Sequence, residues 1–145
     1  MNEKYMVMAG CGKLGSFLAN RLSSNGHSIV IIDKNPAAFE RLSFEFTGFK
    51  LEGDVSLLSV LQKAKVADAY AFWALTENDN LNLMIAQTAK SFFKVDKVFA
   101  RIHDPEKSKI FQDSEIFNIC PTILAGEKAL SIFAEELKTS SEDKS

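Results

Sequence analysis

A doubly wound parallel α/β sheet is the fold this sequence predicts, and three observations predict it. Short apolar runs alternate with longer amphipathic stretches along the chain, the pattern of strands joined by covering helices. The first apolar run leads into Gly10-Cys11-Gly12-Lys13-Leu14-Gly15, a GxGxxG turn placed where a strand hands over to a helix. Eighteen residues past the last of these glycines, Asp33 closes a second apolar run, Ile29-Val30-Ile31-Ile32. Together they predict a Rossmann-like sheet of about six strands with helices on both faces.

The elements follow in order. Tyr5–Ala9 reads as the first strand and Lys13–Ser24 as the first helix, stopped by Asn25-Gly26. Ser28–Ile32 is the second strand. Asn35 before Pro36 supplies an N-cap and a first-turn proline for a helix over Pro36–Phe46. Phe49–Leu51 is the third strand, and Asp54 is placed to cap a helix over Val55–Lys63. Ala69–Ala74 is the fourth strand, followed by a helix over Asp79–Phe93. Lys97–Ile102 is the fifth, and Asp104-Pro105 opens a helix to Gln112. Phe117–Ile119 is the sixth, with a last helix over Pro121–Leu137. The domain is expected over residues 1–138, and residues 139–145 read as a flexible, solvated tail.

Composition narrows the function. The 145 residues suit one domain with a substantial core. A formal charge of −2 argues against a nucleic-acid partner. The two cysteines, Cys11 and Cys120, stand far apart with no CxxC neighbour, so neither a disulfide framework nor a zinc site is indicated. No apolar run reaches the ~18 residues of a membrane span and no signal-peptide pattern opens the chain, which predicts a cytoplasmic protein that meets a membrane through a partner.

The candidate site is a nucleotide site. Gly10, Gly12 and Gly15 serve a tight turn, close ligand approach and close helix–strand packing, with Cys11 and Leu14 completing the loop. Lys13 either meets a phosphate or points into water. No lysine follows Gly15, which excludes a Walker A loop. Asp33, beside Lys34, is placed to accept hydrogen bonds from ribose hydroxyls and would repel a 2′-phosphate, so NAD or an adenine nucleotide is expected over NADP. Gly53-Asp54 ends another strand, and Asp54 either lines the adenine side or only caps a helix. Thr76 and Asn82 either serve the ligand and brace the loops or cap locally. Arg101, at a strand end, is paired with an acid or aimed at phosphate. His27 and His103 read as structural. The helix over Asp79–Phe93 carries more apolar residues than one buried stripe needs. That surplus points either to a subunit interface or to deep burial in its own core. The stripe Leu130, Phe133, Ala134 and Leu137 either packs on this sheet or reaches over a partner.

The order of these motifs resembles the RCK, or TrkA N-terminal, domain family over about Tyr5 to Leu130. The resemblance rests on Gly10–Gly15, Gly26-His27, Ile32-Asp33, Gly53-Asp54 and Ala67-Asp68-Ala69. It continues through Thr76 to Asp79 and Asn82, Ala100-Arg101, Asp104-Pro105-Glu106 and Cys120-Pro121. It implies a domain that binds NAD or NADH, or alternatively ATP, ADP or AMP. It also implies a homodimer or higher ring beneath a potassium transporter or channel, on the inner face of the membrane, possibly with a second regulatory subunit. The nucleotide would then switch potassium uptake or efflux. Carried over by position, the glycine loop and Lys13 would face phosphates, Asp33 the ribose and Asp54 the adenine. Thr76 and Arg101 would lie near phosphate or the dimer contact. Two departures stand out. The position of Lys13 is commonly arginine in the family, and the second, C-terminal domain of full-length regulatory subunits has no counterpart here. The chain therefore reads as a truncated form, a minimal subunit or half of a split pair. The competing expectations are an NAD-dependent oxidoreductase, or a fragment of one, and an interaction domain with a vestigial site. Against the enzyme, Tyr5 and Tyr70 are followed four residues on by Ala9 and Ala74, so no tyrosine–lysine pair is present.

Overall fold

A computed structural model describes residues 2–112 and 114–143. Six strands form one parallel sheet: β1 (Tyr5–Ala9), β2 (Ser28–Asp33), β3 (Phe49–Glu52), β4 (Ala71–Ala74), β5 (Lys97–Arg101) and β6 (Phe117–Ile119). Their spatial order is β3-β2-β1-β4-β5-β6. The order reverses between β1 and β4, and a crevice opens at such a switch point in Rossmann-type sheets. Register sets Val7 beside Val30 on one flank and Phe72 on the other, and Met8 beside Ile31 and Trp73.

Both faces of the central strands are covered, so the strands read as continuous apolar runs. Val7, Ala9, Ile32, Phe72, Ala74, Val98 and Ala100 point into one core layer. Met6, Met8, Ile29, Ile31 and Ala71 point into the other. The second layer is closed by α1 (Lys13–Ser24). Its Leu14, Leu18 and Leu22, one turn apart, pack on that layer while Gly15, Ser16 and Ala19 are buried. The first layer is closed by α2 (Leu58–Lys63) and α3 (Asp79–Gln87), which supply Leu61, Ile85 and Ala86. The Tyr5 hydroxyl donates to the Ala64 carbonyl and ties β1 to the end of α2.

Three predicted helices are shorter than expected. Pro36–Phe46 is helical only over Pro36–Arg41, as a 3-10 segment. Beyond it, Asn20 Oδ1 accepts from the Ser43 amide and Ser43 Oγ from the Glu45 amide, which offers the backbone partners outside a helical ladder. Asp54 caps no helix. Its Oδ1 accepts from the Ser56 amide at 2.9 Å and the Ser56 hydroxyl at 2.7 Å, and this Asx turn delays α2 to Leu58. Past Ile102, α4 is one turn, Pro105–Ser108, continued as a 3-10 turn to Phe111. By contrast Asn35 and Asp104 cap as predicted, accepting from the amides of Ala37 and Glu106.

The apolar surplus around α3 divides. After Gln87 the helix widens into a π turn over Thr88–Phe92. Ile85, Ala86, Ala89 and Phe93 are buried in the core, while Met84 and Phe92 are exposed. The last helix, α5, runs over Pro121–Asp143. It therefore passes through residues 139–143, where a tail was expected; Lys144 and Ser145 lie outside the described residues. Every described side chain from Thr122 to Glu142 is exposed.

Candidate functional site

At the switch point the tips of β1, β2, β3 and β4 surround a crevice of about 330 Å³, within the size range of small-molecule sites. Its floor is the β1–α1 turn. Gly10 adopts φ +106°, and a Cβ there would stand 2.7 Å from the Leu75 carbonyl oxygen. Only glycine passes this bend beside β4. Gly15 lies beneath it: a Cβ would fall 2.1 Å from the Gly10 carbonyl oxygen, so α1 seats against the turn only without a side chain. The N-cap of α1 is Gly12, which makes no side-chain cap, and the first turn contains no acid. The amides of that turn and the positive end of the helix dipole are thus left for an anion.

Asp33 ties the two neighbouring strand tips together. Its Oδ2 accepts from the Cys11 amide at 2.9 Å and its Oδ1 from the Asn35 amide at 2.9 Å. Each carboxylate oxygen retains a lone pair for a further donor. Around it stand Lys34, Asn35, Ala38 and Arg41 on one wall, and Gly53, Asp54 and Val55 on the next. Arg41 Nη1 donates to the Cys11 carbonyl at 3.4 Å. The Cys11 thiol is buried and donates to the Ala38 carbonyl at 3.4 Å. Burial first, then the Asp33 charge, push its pKa up to about 11, so it stays a protonated packing group at neutral pH. The hydrogen bonds from Ser56 hold the Asp54 carboxyl below its ordinary range.

The far wall is the β4–α3 loop, with Leu75, Thr76, Glu77, Asn78 and Leu81. It is held by Asn82, which is fully buried. Asn82 Oδ1 accepts from the Thr76 amide (3.0 Å) and hydroxyl (2.6 Å), and its Nδ2 donates to the carbonyls of Thr76 (3.0 Å) and Arg101 (2.8 Å). The Thr76 hydroxyl is therefore spent on Asn82 and on accepting from the Asn78 amide.

Of the residues singled out from sequence, Gly10, Cys11, Gly12, Asp33, Lys34, Gly53, Asp54 and Thr76 line this crevice. Lys13, Leu14, Gly15, Asn82 and Arg101 do not. The helix starts at Lys13, so its backbone amides face the turn while its side chains radiate away. Lys13 is exposed and Leu14 packs on the core. Asn82 acts from behind the loop. Arg101 donates from Nη1 to the Thr76 carbonyl at 2.9 Å and pairs with Glu77 at 3.9 Å. It lines a neighbouring cavity with His103. His27 Nδ1 accepts from the Lys4 amide, a structural role. Arg41, Asn35, Glu77 and Asn78 are lining residues that motif reading passed over. No spacing rule marks Arg41, because the 3-10 segment that aims it differs from the helix its sequence suggests.

The TrkA-N domain family matches residues 6–120. The Trk system potassium uptake protein TrkA of Streptomyces coelicolor is 37% identical over 108 residues, 74% of this chain and 48% of that protein. The chain thus spans about half the length of the curated relative. Among solved structures, the Kef CTD of Shewanella denitrificans in its AMP-bound form superposes with a TM-score of 0.68 at 19% identity, covering 89% of this chain and 81% of that one. The GsuK channel bound to NAD gives a TM-score of 0.65 at 18% identity, covering 83% of this chain and 22% of that one. These two likenesses show the fold. The match across nearly the whole sheet, with the glycine turn and Asp33 at its switch point, shows that the chain belongs to the TrkA-N domain family of the RCK type.

Proposed function

We propose that this chain is the nucleotide-binding part of a regulatory subunit that controls potassium movement through a membrane partner, switched by NAD(H) or an adenine nucleotide. The observation that carries the proposal is the meeting of the Asp33 carboxylate with the Cys11 amide at the floor of the crevice. It sets a ribose acceptor and the uncapped start of α1 on one ligand path. Solved neighbours bound to NAD and AMP support the ligand class, and the TrkA relative supports the potassium system. No described helix is long and apolar enough to cross a membrane.

The switch requires two states with unequal affinity for the ligand. A dimer supplies them. The stripe Ile123, Leu130, Phe133 and Leu137 on α5 is exposed, as are Met84 and Phe92 near α3. A second copy of the chain buries these surfaces, and the crevice wall built on α3 then senses the interface. The potassium uptake relative favours a regulatory over a catalytic role. Thermal unfolding with NAD, NADH, ATP, ADP and AMP tests the proposal. At least one at millimolar concentration raises the midpoint by mass action. No shift with any of them makes the site vestigial, and turnover of NADH with a panel of carbonyl compounds makes the chain an enzyme.

A further inference from the structure

The wall beside Asp33 carries positive charge that a ribose contact does not use. Lys34 and Arg41 both line the crevice there, and neither enters an ion pair among the described residues. We propose that these two cations seat a phosphate on the 2′-oxygen of the adenosine ribose, so that the site accepts a 2′-phosphorylated adenine nucleotide, of the NADP kind, as readily as one with a free 2′-hydroxyl. The proposal rests on the nucleotide-binding reading above and names Arg41 as a specificity-determining residue within it.

Asp33 by itself predicts the opposite, since its charge repels a 2′-phosphate. Three observations reverse the balance. First, the carboxylate is tied down. Its Oδ2 and Oδ1 already accept the amides of Cys11 and Asn35, each at 2.9 Å, and such amides set fixed partial positive charge against it. Second, the Arg41 guanidinium is aimed. The Arg41 carbonyl accepts from Asn20 Nδ2 at 3.5 Å, and Nη1 donates to the Cys11 carbonyl at 3.4 Å. The side chain thus reaches from the 3-10 segment to the glycine turn, on the Asp33 side of the crevice. Its other N–H groups make no hydrogen bond among the described residues, and a fork with free donors meets phosphate oxygens in pairs. Third, the surroundings leave that contact to Arg41. The backbone amides of Asn35 and Ala37 are already taken, by Asp33 and by the Asn35 side chain. The Lys34 charge acts on Asp54 and offsets the acid of the next wall, whose Oδ1 is turned to Ser56. The Lys50 charge joins that of Arg41 in acting on the Cys11 thiol, which sets a further cation near the floor.

Titration calorimetry at fixed ionic strength, with AMP and with adenosine 2′,5′-bisphosphate, isolates the 2′-phosphate, because the two ligands differ in nothing else. The wild type is expected to bind the bisphosphate at least as tightly as AMP. Arg41→Ala is expected to lower the ratio of the two affinities about tenfold, the worth of one charge-assisted contact. Arg41→Gln, which can still donate to the Cys11 carbonyl, is expected to lower it likewise. The ratio is taken within one protein, so a shared loss from poorer folding does not move it. Lys63→Ala removes an exposed charge on α2 away from the crevice and is expected to leave the ratio alone. An unchanged ratio in either Arg41 variant overturns the proposal, as does an equal fall in Lys63→Ala, which would trace the effect to bulk charge. Wild-type binding of AMP with weaker binding of the bisphosphate overturns the 2′-phosphate seat and leaves the nucleotide site standing. Absence of binding by both overturns the underlying reading as well.

Discussion

Replacing Asp33 by alanine removes two acceptors with unequal consequences. The Asn35 amide is at the surface, and water takes the place of Oδ1. The Cys11 amide belongs to a residue that is fully buried, and its 2.9 Å bond to Oδ2 has no substitute nearby. An unpaired buried amide costs about 1–3 kcal/mol. For a domain of this size that is a fall in unfolding midpoint of roughly 3–12 °C. Asp33→Asn separates stability from binding. Its amide oxygen still accepts from Cys11, so most of the stability returns. The charge offered to ribose hydroxyls in the proposed site is gone, and nucleotide affinity is expected to fall by about 10- to 100-fold. Circular dichroism melts and calorimetry on the three proteins measure both quantities. Asp33→Ala melting with the wild type would show that the Cys11 amide does not depend on this carboxylate. Asp33→Asn binding nucleotide as tightly as the wild type would remove Asp33 from the ligand contact.

Three further outcomes are expected. Gly15→Ala places a Cβ 2.1 Å from the Gly10 oxygen, 1.3 Å inside the 3.4 Å at which ordinary contact begins (3.4 minus 2.1). Lifting α1 off the turn costs about 1–3 kcal/mol, seen in denaturant unfolding with nucleotide affinity lost alongside; a neutral result refutes the packing. Burial raises the Asp79 pKa, but the amides of His103 and Asp104, aided by Lys107 and His103, outweigh it and hold the group below 3.8. A depressed carboxyl stabilises the fold above its unfolded value and loses that contribution as pH falls through the folded one. Asp79→Asn therefore melts lower than the wild type at pH 7, with the gap closing below about pH 3.8; a gap constant with pH contradicts the charge. If α5 builds the proposed dimer contact, Phe133→Asp yields a folded monomer by light scattering; an unchanged mass excludes α5 from the interface.

The order of strands and helices, the glycine turn and the acid at the second strand tip were legible in the sequence. Each is written in local periodicity and in residues such as Gly10, Asn35 and Asp104 whose backbone preferences act within a few positions. Helix lengths were less legible. Ser56 draws Asp54 into a turn, and Asn20 draws Ser43 out of a helix from across a loop; the second contact has no local signature. The same holds for the site's walls. That Asn78 and Glu77 share the crevice with Asp33 follows from a sheet order that sets β2 and β4 on either side of β1. That Lys13 and Arg101 leave the crevice follows from where a helix begins and which loop a guanidinium must hold. Local chemistry determined the elements, the glycine turn and the acid at the floor of the crevice. Tertiary structure decided which side chains share the crevice, because that depends on the direction each side chain takes once non-neighbouring strands lie side by side.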